Sequence, residues 1–462
     1  MATRPRPGSM LHDVLRMTPP AAIGRYRFVV MSALWITGVF LYLDRVAMSI
    51  AAPKIMDELN LTGLEMGFIL GTFFWGYSFG QLIGGVASDR LKIRTWALGS
   101  YLVWCVAVAG TAFCHTIGQF TVARAVFGFA EGAVVNPVTK LLNHWVFPRE
   151  RGIAQGVQIA SAYMGLVVGM PFMAWIVTAF GWREMFVFIG VLTLVGTFIF
   201  WRLVYDHPRE HPRISRAEME AIEAALERDR VTYDPSGRKS QELGFGEGLR
   251  LLARSPAYWM ICVAFFFISG IYYTNFSWLP GYLVKERGYT ALGSGVALSL
   301  PYAAAAVGAL ASGWIADKVG KRTPVLIAAA TLTIPGIVGL LAVEQQGLVI
   351  AMLCLMLSCN GAAIGPFMVL IFDLMPAQVV GVAIAVLVGL FGSFGGLVGP
   401  LVMGYSFDLT GSFAGGFGAM AGGLVVSIGL LVFVMKHEYA ASRLKQSRAE
   451  TSAALPQSTA EH

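Results

Sequence analysis

Long apolar blocks alternate with short polar breaks along almost the whole chain. A helix needs about 20 residues to cross about 30 Å of hydrocarbon, and the sequence supplies roughly twelve blocks of that length. They fall near residues 28–51, 66–88, 95–114, 118–141, 152–178, 184–204, 257–283, 291–315, 323–343, 347–371, 380–405 and 413–436. The pattern predicts an all-α integral membrane protein with twelve transmembrane helices.

One break is far longer than the others. Residues 205–256 form a polar linker that contains Ser215-Arg216-Ala217-Glu218, a capping box that predicts the start of a charged, amphipathic helix. The linker divides the chain into two six-helix bundles, 28–204 and 257–436, with tails at 1–27 and 437–462. Residues 1–27 hold five arginines and four prolines and no apolar core of a signal peptide, so they are expected to be a cytoplasmic tail.

The basic residues set the orientation. With both termini inside, 28 of the 34 Lys and Arg fall in inner segments, and the outer loops hold only Lys54, Arg183, Lys285 and Arg287. So strong a bias predicts cytoplasmic termini. It also gives the net charge of +7 a role in topology, and no nucleic-acid partner is expected.

Composition narrows the classes further. Only 13% of the 462 residues are charged and 56% are hydrophobic, whereas soluble domains carry about 25% charge. Secreted disulfide scaffolds and disordered proteins are excluded. The five cysteines match no zinc spacing and are expected to pack inside helices. No nucleophile–base set, phosphate-binding loop or metal site is legible, so neither enzyme chemistry nor a cofactor is expected.

The two halves repeat each other. Gly85-Val86-Ala87-Ser88-Asp89-Arg90, followed by Lys92 and Arg94, returns 228 residues later as Gly313-Trp314-Ile315-Ala316-Asp317-Lys318, followed by Lys321 and Arg322. Phe147-Pro148 returns as Met375-Pro376 at the same offset. Parallel repeats about an axis normal to the membrane are an architecture of secondary transporters. The loop and its copy resemble the signature loop of the major facilitator superfamily, with Lys92 standing where that pattern has glycine. The resemblance implies inner-gate roles for Asp89, Arg90, Arg94 and Asp317.

Four charges interrupt the apolar blocks: Asp44 and Arg45 in the first, Arg124 and Glu131 in the fourth. A charge at the bilayer centre costs at least about 2.5 kcal/mol, so each needs a reason to be there. Arg124 and Glu131 lie two helical turns apart on one face, with Gly128 between them. About 228 or 229 residues on, the second half has Leu353 or Cys354 opposite Arg124 and Cys359 or Asn360 opposite Glu131, so the fold itself does not require these charges. As structural glue, the two acids and two bases would simply neutralise each other. As a site, the arginine forks match a carboxylate and the acids carry protons. Sodium would require more oxygen ligands than are present.

Tyr42-Leu43-Asp44-Arg45, Gly76-Tyr77-Ser78, Arg124 with Glu131 and Pro137, Trp145 to Gly152, Gln158, Trp278 to Leu283 and Gly392 to Pro400 resemble the anion:cation symporter branch of that superfamily. This branch includes carriers of galactonate, glucarate, hexuronates and tartrate, as well as aromatic-acid carriers such as those for phthalate. The resemblance implies that Asp44 and Glu131 couple protons. It places substrate on Arg45, Arg124, Tyr42, Tyr77 and Gln158, with Tyr273, Asn275 and Asn360 forming a second wall. Ser393 stands where the sugar-acid carriers have asparagine. The expected function is proton-coupled import of a small organic anion, most readily a sugar acid, by a monomer in the lipid of a bacterial inner membrane. Anion exchange, aromatic-acid symport and a transporter-like sensor remain open alternatives.

Overall fold

A computed structural model of the chain describes residues 25–233 and 244–454. The first half holds α1 (Tyr26–Leu59), α2 (Gly63–Arg90), α3 (Ile93–Gly110), α4 (Ile117–Trp145), α5 (Arg151–Ala179) and α6 (Trp182–Leu203). The linker contributes α7 (Arg216–Tyr233) and α8 (Phe245–Leu252). The second half holds α9 (Pro256–Lys285), α10 (Ala291–Val319), α11 (Thr323–Ala342), α12 (Gln346–Leu374), α13 (Val380–Thr410) and α14 (Ala414–Ala454). Within α13, residues Ala385–Gly392 are π-helical. Most of the expected tail at 1–27, part of the 205–256 linker and the end of the 437–462 tail lie outside the described residues.

Among the described residues, ten helices are long and apolar enough to cross a membrane. The helices α2 and α4, of 28 and 29 residues, have the length but are interrupted by glycines and polar side chains. These two helices pack on each other. Added Cβ atoms at Gly76, Gly80 and Gly84 would collide with α4 backbone at Ala125, Phe129 and Ala133, and ones at Gly128 and Gly132 with the Phe73 and Tyr77 carbonyls. Small residues let backbones approach closely where lipid supplies no hydrophobic drive, and here that exchanges apolar surface for contact area.

Several helices outrun the apolar blocks and end at polar caps. Asn60, with φ 52°, ends α1, and reciprocal capping boxes at Thr62/Glu65 and Thr116/Gln119 start α2 and α4. The largest overshoot is α14, which runs to Ala454 through the segment expected as tail. The linker box is only half formed. Ser215 Oγ accepts from Glu218 N at 3.2 Å, but the Glu218 carboxylate serves another helix, accepting from Tyr26 N at 2.9 Å and Arg27 N at 3.1 Å. Two free amides at the α1 N-terminus plus the Arg27 guanidinium are stronger partners than one amide at Ser215.

The repeat is visible in the caps. Asp206, after α6, accepts from Arg94 N at 2.7 Å; Glu438, within α14, accepts from Arg322 N at 2.7 Å and Thr323 N at 3.1 Å. Each half thus uses an acid from its sixth helix, or just beyond it, to hold the start of its third. The five cysteines are free thiols, three of them buried.

The halves meet along one end of the bundle and as far as its middle. Gly63, Gly67 and Gly71 of α2 lie against Gly404, Pro400 and Leu397 of α13, and Gly295 of α10 lies against Met170 of α5. Ser299 Oγ donates to Val167 O at 3.0 Å, and Ser78 Oγ donates to Gly389 O. Past these points the close approaches turn inward to the same half: Gly84 to Ala133, and Gly308 to Ser358.

Candidate functional site

Successive residues of a helix point about 100° apart, so Asp44 and Arg45 must leave α1 in different directions. Arg45 turns toward α4, where Glu131 Oε1 accepts from its Nε at 2.7 Å and also from Nη2. Asp44 turns toward α6, where Thr193 Oγ1 donates to its Oδ2 at 3.0 Å. All four of these charges are buried, with Asp44 1%, Arg45 6%, Arg124 5% and Glu131 0% exposed, so bulk solvent does not compensate them.

The two arginines are held differently. Arg45 is neutralised by Glu131 and ringed by aromatic faces, its guanidinium carbon lying 5.0 Å from the Tyr42 and Phe73 ring centres and 4.8 Å from Tyr77. Arg124 rests against Phe73 at 4.9 Å and Phe127 at 5.3 Å. Among the described residues no carboxylate lies within ion-pair distance of Arg124, and its Nε has no hydrogen-bond partner. Cation–π contact lowers the cost of a buried guanidinium without cancelling its charge. Phe73 touches both arginines and keeps the Arg45–Glu131 pair distinct from Arg124.

One oxygen of each acid is left over: Asp44 Oδ1 and Glu131 Oε2 have no hydrogen-bond partner. The second half approaches this region through Tyr273, whose ring centre is 4.1 Å from Phe74 of α2 and 5.3 Å from Tyr272. Asn275, two residues further along α9 and so about 200° round the helix from Tyr273, is 3% exposed and has neither amide atom hydrogen-bonded.

The structure therefore brings together Tyr42, Asp44, Arg45, Tyr77, Arg124, Glu131 and Tyr273. Three further expected residues make other contacts. Gln158 Nε2 donates to Leu34 O of α1 at 3.4 Å, and Asn360 Nδ2 to Ile268 O of α9 at 3.4 Å, so both tie helices together within a half. Ser393 follows the π-helical segment and lines a lateral apolar pocket of about 260 Å³ with Trp75, Ser78 and Phe79 of α2 and Phe245 of α8.

The residues expected at the inner gate make their contacts within their own halves. Asp89 binds Lys140 at 2.6 Å, and Asp317 binds Arg322 at 2.7 Å. Arg94 donates to Trp201 O and lies 3.9 Å over the Tyr205 ring, whereas Arg90 is exposed.

Sequence reading missed Phe73, Thr193, Trp104 and Tyr302. All four are buried, and the Trp104 indole nitrogen and Tyr302 hydroxyl have no hydrogen-bond partner. A phenylalanine or threonine in an apolar block carries no signal of its own; only helix phase shows what it faces.

Comparison with known proteins bears on the whole chain. The family model of the Major Facilitator Superfamily matches residues 34–400. The hexuronate transporter of Bacillus subtilis is 28% identical over 414 residues, covering 86% of this chain and 92% of that protein. The D-galactonate transporter of Escherichia coli is 27% identical over 400 residues, covering 83% and 89%. Among solved structures, a bacterial homolog to the human lysosomal transporter Spinster, inward-facing and unoccupied, aligns with TM-score 0.68 at 17% identity over 90% of this chain and 97% of its own.

Proposed function

The chain belongs to the major facilitator superfamily, and from that membership we propose that it imports a small organic anion, a sugar acid, together with protons by alternating access. In this reading α1–α6 and α9–α14 are twelve spans of a monomer in a bacterial inner membrane, with both termini cytoplasmic. The end where the halves touch is then the outer one, and the conformation is open inward.

One observation carries the coupling: Glu131 already occupies the guanidinium of Arg45. A substrate carboxylate can take the same fork only after Glu131 releases it, and a neutral carboxyl releases a cation far more readily than a carboxylate does. The Glu131 carboxylate and the substrate carboxylate thus compete for one group, so loading a proton on Glu131 favours anion binding and the two become linked. Arg124, already without a carboxylate partner, supplies a second positive centre, and Phe73 keeps the two cations apart. With Asp44 and Glu131 both protonated, the site is cationic and draws an anion. With both ionised it is neutral and lets one go.

The substrate class is supported by what the second half leaves unpaired. The Asn275 amide and the Tyr302 hydroxyl are buried without partners. A polyhydroxylated acid brings hydroxyls to satisfy them, whereas a benzoate-like acid leaves them unmet, which is strongly disfavoured. The names of the hexuronate and galactonate relatives agree with this class.

The test is uptake into proteoliposomes of labelled sugar acids and aromatic acids under an imposed pH gradient. Gradient-driven uptake of a sugar acid, reduced to exchange in Glu131→Gln and abolished in Arg45→Ala, is expected. Uptake indifferent to the gradient and to Glu131 would establish an anion exchanger instead.

A further inference from the structure

Thr193 does not behave like eight other threonines of the bundle. Thr37, Thr72, Thr111, Thr139, Thr178, Thr197, Thr274 and Thr333 each donate to the carbonyl four residues earlier in their own helix. That is the default for a hydroxyl in an apolar helix. Thr193 instead sends its hydroxyl out of α6 to the Asp44 carboxylate on α1, 149 residues away in sequence, at 3.0 Å.

The surroundings make this contact consequential. Among the described residues no arginine lies within ion-pair distance of the Asp44 carboxyl, and Arg45 beside it is committed to Glu131. The charged and titratable groups that act on Asp44 are Arg124 and Glu131 from α4 and Cys105 from α3. From α6 come hydroxyls only: Thr197, one turn on, donates to Thr193 O at 2.8 Å and lies 3.7 Å from Cys105 Sγ.

Resting on the proton-coupled reading above, we propose that Thr193 is a positioning residue that holds the Asp44 carboxyl on the α3–α6 side of α1 and sets the pH at which it exchanges its proton. A hydroxyl can donate to the ionised carboxylate and accept from the protonated one, so it stays bonded through the cycle. Removing a donor from a buried carboxylate disfavours its ionised form.

The experiment measures substrate uptake and substrate counterflow in proteoliposomes across pH for the wild type, Thr193→Val and Thr193→Ser. Thr193→Val keeps the volume and loses the hydroxyl. It is expected to move the midpoint of the uptake curve upward by about one pH unit, leaving KM at low pH and the counterflow rate unchanged. Thr193→Ser restores the wild-type midpoint. A Thr193→Val curve that superimposes on the wild type, or is scaled down evenly at every pH, overturns the proposal, as does a serine variant that behaves like valine. Wild-type uptake that ignores pH overturns the proton-coupled reading itself, and the role of Thr193 falls with it.

Discussion

Asp57 and Lys285 occupy the same place in the two repeats, 228 residues apart, and their side chains meet at 3.0 Å. Equivalent positions of two parallel repeats can touch only near the axis that relates them, so this pair marks where the axis leaves the molecule. The next residues, Glu58 and Glu286, are also equivalent and turn the other way, into their own halves. Glu58 Oε2 accepts from Trp182 Nε1 at 2.7 Å, and Glu286 accepts from Phe413 N. The first helix of each half thus ends in one side chain for its partner half and one for its own.

Breaking the axial pair should loosen the end at which the halves meet. Gly281 sits beneath it, and a Cβ there would lie 3.9 Å from Pro53. A cysteine at Gly281 therefore reports separation of the halves to a membrane-impermeant thiol reagent. Lys285→Glu should speed its labelling by about two- to five-fold, since an exposed pair is worth at most about 1 kcal/mol. Adding Asp57→Lys to that variant should bring the rate back. Labelling unchanged by charge reversal would show that the pair does not bear on closure.

Asp408 should matter more than that pair. Its carboxylate accepts from Gly63 N at 2.6 Å and Leu64 N at 2.7 Å, so an acid of α13 caps α2 across the interface. A helix N-terminus offers unpaired amides and a partial positive charge, and losing a cap costs about 0.5–2 kcal/mol. Asp408→Ala should raise Gly281→Cys labelling above its level in Lys285→Glu and slow substrate release to the inside. Equal labelling in Asp408→Ala and the parent protein would contradict this.

His211 gives the linker junction a pH dependence. Its ring lies 4.2 Å from Tyr26 and 4.6 Å from Tyr205, and its Nδ1 accepts from Arg213 N at 3.0 Å. Burial first, then the charges of Arg213, Arg202 and Arg94, depress its pKa below the usual histidine value. The folded chain then binds fewer protons here than the unfolded one, so stability is full above about pH 6.5 and is lost as pH falls through the folded pKa. Melting temperature in detergent should drop between pH 7 and 5, and His211→Phe should flatten that drop. An identical slope in the variant would remove His211 as the cause.

The helices were legible because lipid punishes any exposed polar backbone, ten of them long and apolar enough to cross a membrane among the described residues, and the repeat was legible because Asp89 and Asp317 recur at a fixed offset with their basic neighbours. The four charges were legible for the same reason: nothing else in an apolar block explains Asp44 or Glu131. Their pairing was not. Whether Arg45 meets Glu131 or Asp44 depends on the rotation of α1 against α4 and α6, which neighbouring residues of one helix do not encode. The Glu218 cap on α1 was hidden similarly: its apparent partner lies three residues away and its real one lies 191 or more. The contacts of Gln158 and Asn360 with a carbonyl of a neighbouring helix were equally hidden, because a polar residue in an apolar block does not show which helix it meets.

The most direct measurement is substrate affinity against pH, in the wild type and in Glu131→Gln, by equilibrium binding to purified protein. If the substrate carboxylate and Glu131 compete for Arg45, wild-type affinity weakens as pH rises past the loading range, by about ten-fold per pH unit for each linked proton. Glu131→Gln should lose one proton's share of that slope and bind at high pH more tightly than the wild type. A variant that keeps the full wild-type slope would show that Glu131 does not gate Arg45, and the proposed coupling would be wrong.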